Sequence, residues 1–195
     1  MTNNKTRKTI AVIYVILTFI TFAVEASTPE SKNRSVYREY IRMYYQAAMQ
    51  QQRKYKIPAS ITLAQAILES NAGQSYLAIA ANNHFGVKCN SWTGLCVYKN
   101  DAGQYCCFRK YLDVSDSYED HSRFLKERPF YEPLFKLSDT DYKGWAKGLG
   151  RCGYANDPQY ASKLIRLIED YRLYEYDREA KGESPASTTK NTIRP

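Results

Sequence analysis

Apolar side chains recur at intervals of three and four along most of this chain, and only residues 85–111 change character. Leu63, Ala64, Ile67 and Leu68 make one stripe, predicting a helix over Pro58–Ser70 with Pro58 just ahead of the run and Ser60 placed as its N-cap. Asn71–Ala72–Gly73–Gln74 then breaks the run. Tyr37, Tyr40, Ile41, Tyr44, Tyr45, Ala48 and Met49 keep helical spacing and predict a first helix with one face on the core. Tyr76 to Ala81 reads as a further short helix or turn. Gly86, Gly94 and Gly103 then punctuate β-prone pieces around Val97–Tyr98 and Tyr105–Phe108, with Asn100–Asp101–Ala102–Gly103 as a hairpin tip.

Beyond the hairpin the helical period returns. Ser117–x–x–Asp120 has the form of a capping box and starts a helix through about Glu127, which Pro129 and Pro133 separate from the next segment. Asp141–Leu149 predicts another helix, with Trp145 in the core. Asp157 as N-cap and Pro158 at the first helical position open a last helix with the stripe Ala161, Leu164, Ile165, Ile168 and Tyr171. The tail 178–195 has too few apolar residues to bury and is expected to be disordered. Helices around one small hairpin give an α+β domain over 35–177, preceded by a flexible lead-in at 27–34.

The N-terminus is expected to be removed. Lys5, Arg7 and Lys8 precede an apolar stretch, Ile10–Val24, and Val24–Glu25–Ala26 offers small residues where a signal peptidase reads, so 1–26 is read as a signal peptide. The apolar stretch is shorter than the roughly twenty residues a membrane span needs, which leaves no stable membrane anchor. The chain is accordingly read as an exported monomer: periplasmic, surface-bound or secreted.

Export alters the meaning of the five cysteines. Cys89, Cys96, Cys106 and Cys107 crowd around the hairpin without the spacing of a zinc site, so disulfides are expected and no metal. Adjacent Cys106 and Cys107 point to opposite faces of a strand and need different partners. Cys96–Cys106 with Cys89–Cys107 is the preferred pairing, and Cys152 is the odd thiol. The formal charge is +8, and loss of residues 1–26 leaves +6, which suits an anionic cell-wall polymer or membrane surface. No nucleic-acid motif and no phosphate loop is visible, so no nucleic-acid partner and no cofactor are implied.

Glu69 ends the apolar run. Read as a side chain facing water it is unremarked; held beside apolar neighbours, its pKa rises and it can carry the proton a general acid needs. Its surroundings decide for the second reading. LAQAILES–x–x–G–x–S at Leu63–Ser75, NNHFGVKC at Asn82–Cys89, CFRKY at Cys107–Tyr111, SYEDHSRFL at Ser117–Leu125 and GYANDPQYA at Gly153–Ala161 resemble, in order, the glucosaminidase domain of glycoside hydrolase family 73. The resemblance runs from about Tyr37 to Asp177 and implies a mostly helical, lysozyme-like fold with one small β-hairpin lobe. It also implies action on peptidoglycan or a related N-acetylglucosamine polymer, with the family's catalytic glutamate at Glu69.

In related domains a second acid comes from the hairpin, where Asp101 is the one acidic residue between Cys89 and Arg109. Asp101 is either that acid or a turn residue capping its own backbone. Asp120 is a further acidic candidate, and the substrate's own acetamido oxygen offers a route that needs no second carboxylate. Tyr154 matches a tyrosine the family places near the catalytic centre. Asn83, His84 and Phe85 resemble the family's Asn–x–Phe–Gly turn on the cleft floor. Trp92 and Tyr98 offer flat faces for pyranose rings, or else pack on their strands. The expected activity is endo-β-N-acetylglucosaminidase hydrolysis. Its rivals are lytic transglycosylation on the same polymer and a non-catalytic saccharide-binding module.

Overall fold

Helix α2 (Ala59–Ser70) is almost wholly buried, and the other helices are arranged to cover it. The structure, a computed structural model, describes residues 29–183. The expected signal peptide and residues 184–195 of the expected tail lie outside these. α1 (Pro29–Tyr55), α5 (Tyr142–Arg151), α6 (Tyr160–Asp170) and α7 (Tyr174–Ala180) pack on α2. The short α3 (Tyr76–Ala81), α4 (Val114–Glu127) and a 3-10 helix over Pro129–Lys136 complete the helical part. Trp145, Tyr118, Ile61, Leu63, Ile67, Leu149, Leu164 and Ile168 are fully buried in one core. The expected architecture holds: mostly helical, with one two-stranded hairpin.

Both ends of α2 are tied by distant residues. Ser60 does not cap the helix; its amide and hydroxyl both donate to the buried Asp177 carboxylate of α7, at 2.8 and 2.7 Å. Gln52 of α1 accepts from the Ala59 amide at 2.9 Å and donates to the Asp177 carbonyl at 2.9 Å. These groups satisfy amides that every helix N-terminus leaves without an internal partner. At the other end Asn71, Ala72 and Gly73 all take positive φ, of 50°, 51° and 79°. A Cβ on Gly73 would approach the Tyr40 ring to 3.2 Å, so this sharp turn is built for glycine.

Strands β1 (Cys96–Asp101) and β2 (Gln104–Arg109) pair antiparallel through a two-residue turn at Ala102–Gly103. That register corrects the expected cysteine pairing. Cys106 lies opposite Lys99 and Cys96 opposite Arg109, so Cys96 and Cys106 do not meet and both are free thiols. Cys89–Cys107 is bonded as expected, and Cys152 is free.

Four local expectations are corrected by the structure. Residues 29–34 are the first turns of α1, not a flexible lead-in, and α7 runs to a buried Ala180, past the expected boundary at 177. Asp113 with Asp116, and not Ser117 with Asp120, forms the capping box of α4. Gln159 occupies the cap position of α6, while Asp157 accepts from the Gln159 amide at 2.8 Å in the preceding turn.

Burial pushes the Asp177 carboxyl up to about 7, against the downward pull of its bonds from Ser60. A raised acid takes up a proton on folding, so its contribution to stability is greatest below its unfolded value and is lost as pH rises through about 7. Asp177→Asn should flatten the slope of unfolding free energy between these limits. Asp177→Ala should cost about 2 kcal/mol, because it strands buried donors at the head of α2. Urea titrations across pH check both, and an Asp177→Asn slope equal to the parent's rejects the assignment.

Candidate active site

The left-handed turn after α2 leaves Glu69 in the last helical turn, open on one side and walled by protein on the other. Its Oε1 accepts a 2.9 Å hydrogen bond from the Tyr160 hydroxyl of α6, and that hydroxyl accepts from Gln65 Nε2 at 3.2 Å. Gln65 lies one turn before Glu69, so the relay runs from α2 to α6 and back. Desolvation raises the Glu69 pKa above the ordinary 4.5, and the Tyr160 bond draws it partly back. No ion pair among the described residues includes Glu69. A carboxyl without a cation, partly desolvated and oriented through one oxygen, can hold a proton on the other.

Glu69 lines a groove of about 420 Å³ with Phe85, Lys88, His121, Arg128, Tyr131 and Tyr154. Tyr154 stands on the loop between α5 and α6, where Gly153 has φ 69°. Its ring stacks on Tyr160 at 5.4 Å between centroids and meets Tyr131 at 6.2 Å. Burial first, and the Glu69 charge second, hold its phenol well above the usual range, so it remains a protonated donor. Phe85 lies flat on His121, with centroids 3.9 Å apart and planes inclined by 12°. Neither nitrogen of buried His121 has a protein partner, and desolvation lowers its pKa to about 3, so the ring is neutral.

Of the residues read from sequence, Glu69, Phe85 and Tyr154 therefore come together on this groove. Asn83 and His84 do not line it. Asn83 is buried, closing its own turn with bonds to Val87 N, Val87 O and Arg109 O. His84 is buried, its Nδ1 at 2.6 Å from the Tyr40 hydroxyl and its amide donating to Ser117 Oγ. Burial lowers its pKa to about 4, and the ring braces the groove floor from behind.

Asp101 is half-buried at the hairpin and pairs with Lys88 at 2.8 Å, an interaction that keeps it ionised; it does not line the groove, whereas Lys88 does. Tyr98 lies on the outer surface of the hairpin, stacked on Tyr105, and lines no part of the groove. Trp92 borders an adjoining compartment of about 450 Å³, its ring under the Arg109 guanidinium at 4.9 Å. Asp120 takes no capping role. It receives Arg109 at 2.8 Å and the Tyr111 hydroxyl at 2.5 Å, fastening β2 to α4.

Tyr160, His121, Tyr131, Phe124 and Arg128 escaped the sequence reading. Tyr160 stands inside the GYANDPQYA motif and His121 inside SYEDHSRFL, so their motifs were visible while the direction of each side chain was not.

Comparison with known proteins places these features in a family. Residues 45–173 match the family described as mannosyl-glycoprotein endo-beta-N-acetylglucosaminidase. The exo-glucosaminidase LytG of Bacillus subtilis is 34% identical over 177 residues, covering 85% of this chain and 62% of LytG. The crystal structure of the catalytic domain of the autolysin Auto from Listeria monocytogenes superposes with a TM-score of 0.60 at 33% identity, covering 79% of this chain and 92% of that one. A peptidoglycan hydrolase from Sphingomonas sp. A1 gives a TM-score of 0.61 at 26% identity, covering 77% and 97%. The chain spans less than two thirds of LytG and 22% and 20% of two further curated relatives.

The hydrogen bond to Glu69 has a direct test. A carboxyl-carbon NMR titration should find Glu69 above 4.5 in the parent. In Tyr160→Phe the bond that favours the charged form is gone, so the value should rise further. A Tyr160→Phe value at or below the parent's removes this account of the site.

Proposed function

We propose that this chain, which belongs to the glucosaminidase family, is an exported peptidoglycan hydrolase that cleaves the β-1,4 bond following N-acetylglucosamine. The observation that carries the reading is Glu69, in no ion pair among the described residues and partly desolvated on the wall of an aromatic groove. Breaking a glycosidic bond needs a proton on the leaving oxygen and support for an oxocarbenium-like centre. Glu69 supplies the proton while Tyr160 holds its other oxygen. The rings of Phe85, Tyr131 and Tyr154 offer apolar faces to the sugar, and the Tyr154 phenol offers a donor beside the reacting centre.

A second role falls to the substrate. Glu69 is the one acid lining this groove among the described residues, and Asp101 is engaged with Lys88 outside it. The arrangement favours attack by the 2-acetamido oxygen on the anomeric carbon, followed by water, over a protein carboxylate as nucleophile. The same geometry serves lytic transglycosylation, in which the sugar's own hydroxyl closes on that carbon. Export rests on the basic, apolar N-terminal pattern; among the described residues no helix is long and apolar enough to cross a membrane. The adjoining compartment extends binding beyond Glu69 and supports an endo mode, although LytG is named an exo-enzyme.

Digestion of purified peptidoglycan, with mass analysis of the products, tests the proposal. N-Acetylglucosamine at new reducing ends is the expected result, and Glu69→Gln should lower the rate about 10²–10⁴-fold, the range general acids supply. Anhydro ends would turn the assignment to transglycosylation. Tight binding to the polymer with no product at all would reduce the domain to a saccharide-binding module.

A further inference from the structure

We propose that Arg128 recognises a carboxylate carried by the saccharide, so that the groove prefers carboxylate-bearing glycans to neutral N-acetylglucosamine polymers. The inference rests on the hydrolase reading for the location of the substrate, and goes further by naming the group that sets the choice of glycan.

The groove holding Glu69 and the adjoining compartment share Asn90, Phe124 and Arg128 on their common wall. Four cations line the two compartments: Lys88, Arg109, Arg123 and Arg128. Lys88 is matched by Asp101 at 2.8 Å, Arg109 by Asp120 at 2.8 Å, and Arg123 by Glu127 at 3.7 Å. Arg128 makes no ion pair with any described residue. Its guanidinium lies over the Phe124 ring, 3.8 Å from the centroid, which fixes the plane of the fork and leaves its donors for a ligand. The junction of the two compartments thus carries one cation that no carboxylate pairs with among the described residues.

A planar guanidinium binds a carboxylate through two parallel hydrogen bonds, and lysine does not reproduce that geometry. One isolated cation suits a single carboxylate better than a phosphate polymer, which calls for several. In a glycan alternating N-acetylglucosamine with N-acetylmuramic acid, the muramic acid bears a lactyl ether ending in a carboxyl, and its attached peptides bear further carboxyls. An unsubstituted N-acetylglucosamine polymer has neither.

The test measures binding by calorimetry in the full chain carrying Glu69→Gln, so that nothing is cleaved. Three ligands are compared: a short glycan with free lactyl carboxyls, the same glycan with those carboxyls amidated, and a peptide-bearing glycan. The expected result is about tenfold or greater preference for a free carboxylate over the amidated form, as a charge-assisted pair gives. The preference should weaken with added salt and collapse toward one in Glu69→Gln/Arg128→Gln, with Arg128→Lys between. The charged glycan that shows the preference identifies whether the lactyl or the peptide carboxyl is read. Equal binding of charged and amidated glycans by the parent, preference retained without Arg128, or no binding of any glycan each overturns the proposal. Failure of the hydrolase reading shows separately, as a wild-type chain that binds these glycans and releases no sugar ends.

Discussion

The burial of α2 is the constraint from which the site follows. A helix sealed on all sides can expose a functional group only at its ends, and here the head is closed by Gln52 and Asp177. The open end is the tail, where three successive left-handed residues turn the chain away and leave Glu69 facing the groove. Helices that cover α2 for packing reasons also deliver the partners of its terminal carboxyl. α6 buries Leu164 and Ile168 and, on the same element, carries Tyr160 to Oε1. The hydrogen bond that orients Glu69 is thus a consequence of how the core closes.

Three buried or half-buried acids show how partners divide structural from chemical work. Asp120 meets a guanidinium and a phenol, so its charge is compensated and its task is to hold the hairpin on α4. Asp177 meets the amide and hydroxyl of Ser60 at a helix head, where burial outweighs those bonds and raises its pKa, and its role ends with the fold. Among the described residues Glu69 meets one neutral phenol and no cation. Of the three it alone is both reachable from solvent and raised in pKa by desolvation. Strong pairing would have kept it ionised and disqualified it as a proton donor.

What could be read from sequence was whatever a short window determines. The stripe of α2, its abrupt end and the carboxylate at that end are all local, and so is the glycine-punctuated hairpin. The caps expected at Ser60 and Ser117 give way to distant groups, since Asp177 claims Ser60 and the His84 amide claims Ser117, whereas Asp157 is held by its own neighbours Gln159 and Lys163. Cysteine pairing failed for a related reason. A hairpin's register is set by its turn, and the Ala102–Gly103 turn moves Cys96 out of line with Cys106. His84 and His121 show the same limit for side chains. Both sit in recognisable motifs, yet only the packing of Tyr40 and Phe85 decides which ring braces the floor and which borders the groove.

The hairpin's own acid remains the instructive departure. Asp101 stands on the strand end nearest the turn, and Lys88, which bridges to Phe108 of β2 and lines the groove, brings its ammonium to Asp101. In the proposed reaction a protein nucleophile would have to lie against the anomeric carbon, and a base within one water of it. Asp101 does not line the groove and is engaged with Lys88, which does, in a solvent-accessible ion pair of the kind that is weakly held. The sugar of the proposed substrate carries its own nucleophile in the acetamido oxygen, which can close a five-membered ring on the neighbouring anomeric carbon. On the proposed reading, one carboxyl and an aromatic wall meet the needs of the first step, and the hairpin serves as a wall for the glycan.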